Sequence, residues 1–282
     1  MVFKNLKDKC LYYRNLSDYK LLPNSYVLVM LDGRNFSNII KNKFEKPFDK
    51  DFIDMMNQTA QYVCENVEGA KLAYVQSDEI SLVITDFDTP TTDAFFGYRF
   101  NKLTSIIASL ATGKFNQLML QYKLSKYNNN KQNDKDNKEA FYNVDEVVKF
   151  IEKQNPCQFD CKVWNVPTLN DVFAWVLYRQ IDCVRNSKQQ AAQTFISHQN
   201  LMNLNVDAQI RLLFEQKGID WNEYSMDEKY GRFIWKHKVI MNNIDTGDIY
   251  YRHKWLVQSA FPLMDEMGRE KFFQLNVIPN NN

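Results

Sequence analysis

Glycine is the first shortage: 8 in 282 residues, too few for a Gly-rich loop that cradles phosphate on its backbone amides. Histidine is rarer still, at 3, and His198, His237 and His253 are scattered. The five cysteines are an odd number, and Cys157 and Cys161 have no second Cys or His pair at a spacing suited to structural zinc. No apolar run approaches the roughly twenty residues that cross a bilayer. The first residues, Met1 to Lys9, lack an uninterrupted apolar core and do not read as a signal peptide. Charge is balanced too, 35 basic against 34 acidic side chains for a net +1, so contact with a polyanion must come from local patches. The expectation is a soluble, intracellular, reduced protein. Its 45% hydrophobic and 14% aromatic content supports a sizeable core.

What is present alternates between strand and helix signals. Tyr26 to Leu31 is a continuous apolar run stopped at Asp32-Gly33, the pattern of a buried strand before a turn. Asp49 caps a helix expected from Lys50 to Val67, with Phe52, Met55, Met56, Val63 and Cys64 on one face and Gly69 as a stop. Lys71 to Gln76 and Ile80 to Thr85 are β-prone and joined at Ser77-Asp78-Glu79, a hairpin with acids at its tip. A second helix is expected from Asp93 to about Tyr122, and a last strand from Cys157 to Trp164. This strand–helix–strand–strand–helix–strand order is the split βαβ, ferredoxin-like arrangement in the α+β class. The organisation expected is a domain over residues 1–165 with an insertion at 123–156, and a C-terminal region of helices and a β-hairpin over 166–282. The Asn- and Lys-rich stretch from Tyr127 to Lys138 is read as a solvated, mobile surface insertion.

Three places carry chemistry. In a split βαβ sheet the end of the first strand and the hairpin tip lie at one edge, which brings Asp32, Asp78 and Glu79 together beside the Gly33 carbonyl. Clustered carboxylates repel one another unless a cation joins them, and hard oxygen ligands favour Mg²⁺ completed by water and phosphate. Acids on a hairpin tip are otherwise simply solvated. Lys46, just before the first helix, and Lys102, on the second, suit the phosphates of a nucleotide. Further on, Arg179, Asp182, Arg185 and Asn186 fall three or four apart and share a helix face, with Lys188 close by. That face reads equally as a salt-bridged surface or as a phosphate-reading one. Lys229 to Lys238 interleaves bases with aromatics, which suits RNA or an amphipathic strand.

Leu31-Asp32-Gly33-Arg34-Asn35-Phe36, Phe44-Glu45-Lys46-Pro47 with Asp49, and Ala73 to Ser81 through Gln76-Ser77-Asp78-Glu79 resemble the tRNA-histidine guanylyltransferase superfamily, the 3′-to-5′ polymerases. Phe159-Asp160 and Tyr178-Arg179-Gln180-Ile181-Asp182 extend the resemblance over residues 26–190. It implies a polymerase palm-like fold, two Mg²⁺ ions, ATP or GTP as substrates, and nucleotide addition to a tRNA 5′ end by a homotetramer. Activation of a 5′-monophosphate by a nucleoside triphosphate would come first. By matching position, Asp32, Asp78 and the Gly33 carbonyl would hold metal and Glu79 would adjoin them. Lys46, Asp49 and Ser77 would face nucleotide, with Arg34 and Lys102 as further nucleotide-binding candidates, and the helix face of Arg179, Arg185, Asn186 and Lys188 is the RNA-binding candidate. The family's His-Ile-Asn-Asn run reads Val184-Arg185-Asn186-Ser187 here, and Phe-Asp-Ala-Arg reads Phe159-Asp160-Cys161-Lys162. The first change resembles the branch that repairs truncated tRNA 5′ ends on a template. That repair activity is the reading expected. Addition of a single guanylate to histidine tRNA, or a non-catalytic RNA-binding palm protein, is the alternative. A nucleotidyl cyclase is disfavoured because Asp78-Glu79 follows Gln76-Ser77 in place of a Gly-Gly pair.

Overall fold

Apolar strands that are buried on both faces need helices on both sides, and that is how the chain is built. The computed structural model describes residues 2–36, 43–132, 149, 155–242 and 247–280. Its sheet has six strands: β1 (Tyr26–Gly33), β2 (Ala70–Gln76), β3 (Glu79–Ile84), β4 (Phe159–Val166), β5 (Arg232–Asn242) and β6 (Ile249–Ser259). The strand order is β4-β1-β3-β2-β5-β6, and every neighbouring pair is antiparallel. The main helices are α1 (Leu6–Asn15), α2 (Lys50–Asn66), α3 (Phe100–Gln132), α4 (Leu169–Phe195), α5 (Val206–Lys217) and α6 (Glu266–Gln274).

Alternate residues of β1 separate two cores, as the period of two requires. Val27, Val29 and Leu31 join Met56, Val63, Leu103, Ile107 and Phe115 beneath α2 and α3. Tyr26 and Leu28 join Leu72, Tyr74, Val172, Val176 and Phe272 beneath α4 and α6. Strands β1, β2 and β3 are therefore covered on both faces, whereas β6 and the second half of β5 are largely exposed.

Caps set the helix starts. The Asp49 side chain accepts the Phe52 amide at 2.9 Å and opens α2, and Thr168 with Asp171 forms a capping box that opens α4. Gly218, at φ 67°, closes α5. The second helix starts later than its periodicity suggests. Phe96, Gly97 and Tyr98 hold φ of 51°, 58° and 52°, a left-handed kink that delays α3 to Phe100. It then runs to Gln132, into the Asn- and Lys-rich stretch expected to be irregular, because an established helix adds residues at little cost. Residues 133–148 and 150–154, most of the expected insertion, lie outside the described residues. Among the described residues, no helix is long and apolar enough to cross a membrane.

Candidate active site

Register, more than sequence proximity, builds the site. Asp32 pairs with Glu79 across β1–β3 and with Asp160 across β1–β4, so three carboxylates lie in a row over three strands. Asp78 stands in the two-residue turn between β2 and β3, where Ser77 takes φ 44°. The Gly33 amide donates to the Asp78 main-chain oxygen at 3.1 Å, tying the end of β1 to that turn. The absence of a side chain at Gly33 is what lets the two meet. A Cβ there would stand 2.9 Å from Asp78 Oδ2 and 2.6 Å from the ring of Phe36. Gly33 serves here as a close-approach residue.

The acids are not solvated tips. Burial pushes the Asp32 carboxyl upward, and the charge of Asp160 adds to the push. Burial also raises Asp78, against the pull of the Ser77 hydroxyl at 3.0 Å, and Asp32 raises it further. Neither carboxylate is ion-paired to a Lys or Arg among the described residues. Two hard-oxygen acids, each pushed toward neutrality by burial and by a neighbouring carboxylate, are a donor set that fits a divalent cation.

Glu79 departs from the expected trio. Its carboxylate is gripped by Arg179 of α4, with Nε at 2.6 Å and Nη2 at 2.5 Å. The same Nη2 donates to Asp182 at 2.9 Å, and Arg185 bonds the other Asp182 oxygen. Burial pushes Glu79 up while Arg179 pulls it down. Burial also works against the Arg179 charge, but the bonds to Glu79 and Asp182 outweigh it and hold the guanidinium above its ordinary value. No group of three or more His, Cys, Asp or Glu side chains is drawn together as a metal cage among the described residues. The convergence of three free acids is thus corrected to two, with Glu79 committed to an ion pair.

Arg179 is itself placed differently from the exposed, RNA-facing residue expected. It is 8% exposed, because α4 turns its apolar stripe and this residue toward the sheet. Helical spacing shows which residues share a face without showing which way that face looks. Lys188 is bonded to Asp207 at 2.9 Å, and Arg185 is exposed beside Asp182. Arg34 leans on Gln158, with Nη1 3.4 Å from Oε1. Lys102 is exposed near the start of α3. It lies about 15 Å along the helix, at 1.5 Å per residue, from Thr112, which bonds the Phe159 amide opposite Gly33. The structure does not bring Lys102 to the acids.

A cavity of about 450 Å³ opens next to the β2–β3 turn, between the start of α2 and the second half of α4. Lys46, Asp49, Ser77, Asp78 and Asn186 all line it, so five residues singled out from sequence meet around one cavity. Phe36, Phe44 and Phe52 add aromatic surface to its lining. The Asp49 carboxylate is engaged by the amides of Phe52 and Glu45, and Gln190 of α4 bonds the Pro47 carbonyl to close the segment over the cavity.

The tRNAHis guanylyltransferase family model matches residues 10–167, which contain Asp32, Gly33, Asp78, Glu79 and Asp160. The chain belongs to this family. A bacterial Thg1-like protein solved with ATP superposes with a TM-score of 0.76 at 29% identity, over 98% of this chain and 100% of that one. A bacterial Thg1-like protein in complex with GTP gives 0.70 at 28% identity, over 95% and 97%. Among sequences, the uncharacterised protein R259 of Acanthamoeba polyphaga mimivirus is 28% identical, over 93% of this chain and 88% of its own length. The probable tRNA(His) guanylyltransferase of Drosophila melanogaster is 27% identical, over 86% and 78%. The guanylyltransferases of this family are nucleotidyltransferases, and the mixed α/β architecture with an antiparallel sheet is theirs.

Asp160 was missed as a candidate acid, although its Phe-Asp motif stood out. Pairing β1 with β4 antiparallel is the signal that places it beside Asp32.

Proposed function

We propose that this chain is a Mg²⁺-dependent nucleotidyltransferase that adds guanylate to the 5′ end of tRNA, with histidine tRNA as substrate. One observation carries the reading. Asp32 and Asp78, two burial-shifted carboxylates without ion pairs among the described residues, meet at Gly33 beside a nucleotide-sized cavity bearing Lys46 and Ser77. Palm-like arrangement of the first four strands supplies the edge on which they meet.

Asp32, Asp78 and the Gly33 carbonyl would hold two ions, which supply polarisation of phosphate and activation of an attacking oxygen. The chain's own residues do the rest. Ser77 orients Asp78 by donating to Oδ1, and Arg179 fixes Glu79 opposite Asp32. Lys46 adds a positive charge to the cavity lining, and the phenylalanines beside it offer an apolar seat for a base. A tetramer would bring the RNA and nucleotide sites of different copies together.

A second reading is template-directed repair of truncated tRNA 5′ ends. Val184-Arg185-Asn186-Ser187 on α4 favours it, where the histidine enzymes carry His-Ile-Asn-Asn, and Asn186 of this run lines the cavity. One assay tests both: labelled nucleotides, each in turn, with histidine tRNA lacking its extra guanylate and with tRNAs shortened at the 5′ end. Guanylate addition to the first alone supports the histidine activity. Complementary addition of any nucleotide to shortened tRNAs supports repair, and no incorporation into either ends both.

A further inference from the structure

The charge balance at the start of β5 points to a ligand. Arg232 is 4% exposed and directed toward α2, where its Nε donates to Asn57 Oδ1 at 2.9 Å. Among the described residues, Nη1 reaches only the main-chain oxygen of Asp227, at 3.5 Å, and Nη2 is buried with no partner. Both contacts are neutral oxygens, and burial pushes the guanidinium down from its ordinary value. A buried cation without a paired anion is strongly unfavourable.

Nor is its place accidental. Gly231 before it sits at φ 79°, and a Cβ there would stand 2.7 Å from the Val75 carbonyl oxygen. The chain is thus threaded against β2 at the one point that sets Arg232 on the cavity wall. The acids nearby are otherwise employed. Asp49 caps α2, Asp78 takes the Ser77 hydroxyl, and Glu228 closes the capping box of Ser225. Asp54 and Asp227 contribute attraction without forming an ion pair. Among the described residues, none of the carboxylates lining the cavity is ion-paired to Arg232, and its Nη2 has no hydrogen-bond partner.

We propose that Arg232 is the inner anchor of an oxyanion subsite in this cavity and takes a phosphate group. The group belongs to the nucleoside triphosphate or to the RNA 5′ end. This deepens the nucleotidyl-transfer reading and rests on it for the source of the phosphate. Lys46 and Asn186 also line the cavity and supply the remaining contacts. An arginine fork suits such a group because two parallel N–H donors match two phosphate oxygens.

Calorimetry on the full chain and on Arg232→Met tests it, with inorganic triphosphate, a nucleoside triphosphate and a 5′-monophosphorylated RNA oligonucleotide as probes. Inorganic triphosphate binds the unaltered protein, and Arg232→Met weakens it by about tenfold or more. Ligand-free Arg232→Met melts higher than the unaltered protein, since an uncompensated charge has gone. Loss confined to the nucleotide, or to the RNA, names the source of the phosphate. Equal affinity of both proteins for inorganic triphosphate overturns the subsite. If Arg232→Met does not fold, crystals of the unaltered protein soaked in tungstate decide the matter. An anomalous peak within hydrogen-bonding reach of Arg232 supports the subsite, and an empty cavity overturns it. Arg232-dependent phosphate binding without nucleotide incorporation would sink the transferase reading and leave the subsite standing. Incorporation that ignores Arg232, with phosphate affinity unchanged, would do the reverse.

Discussion

Gly33 and Asp78 are packed so closely that the smallest side chain would not fit between them: a Cβ on Gly33 would approach Asp78 Oδ2 to 2.9 Å. Gly33→Ala is expected to push the turn acid and Phe36 aside. Overpacking of this kind costs about 1–3 kcal/mol. Displacing a reacting group by ångströms costs on the order of a hundredfold in rate. Steady-state incorporation and a thermal melt measure the two separately, and an Ala variant with full activity would remove the close approach from the account.

The Glu79–Arg179 pair makes a different prediction. Truncating one partner leaves a buried charge, so Arg179→Met is expected to destabilise by about 3–5 kcal/mol. Adding Glu79→Gln to that variant should restore much of the loss, because no stranded carboxylate remains. A double-mutant cycle in urea reads the coupling. Simple additivity would show that the two side chains do not depend on each other.

Protonation gives the third. The folded-state values of Asp32 and Asp78 are raised by burial above the unfolded ones. Their stabilising contribution is therefore full below about pH 4, the ordinary carboxylate range, and is lost as pH climbs through the raised folded values. In chelator, Asp32→Asn should melt higher than the unaltered protein by a margin that is larger at pH 8 than at pH 5, while losing activity. A margin independent of pH would mean that the carboxylate is not disfavoured by its surroundings.

Asp49 separates a structural from a ligand-facing role. Asp49→Ala removes the cap of α2 and should cost about 0.5–2 kcal/mol, whereas Asp49→Asn keeps the cap and most of the stability. If Asp49 also faces nucleotide, the Asn variant raises KM for the triphosphate while most of the stability is kept. An unchanged KM would confine Asp49 to capping.

Much of this architecture could be read from the residue order, because its signals are local. Apolar continuity marked β1, the Ser77-Asp78 turn marked the hairpin, and Asp49 marked the start of α2. What escaped is non-local or lacks a stripe. The α1 helix buries no residue, so no apolar face announces it. Asp160 reaches Asp32 only through strand register. Arg179 looks like a surface cation until α4 is docked and its guanidinium meets Glu79. Lys102 fails for the opposite reason. A lysine near a helix start looks apt for phosphate, but which end of the sheet it occupies is decided by the packing of α3.

The central claim is that Asp32 and Asp78 act together on a nucleotide at the Gly33 edge. Its most direct test is incorporation of labelled nucleotide at a tRNA 5′ end by purified Asp32→Ala and Asp78→Ala, with Mg²⁺ titrated and circular dichroism recorded on the same samples. The expected result is loss of incorporation in both variants, not rescued by Mg²⁺, with the fold retained. Undiminished 5′ extension by either variant would contradict it.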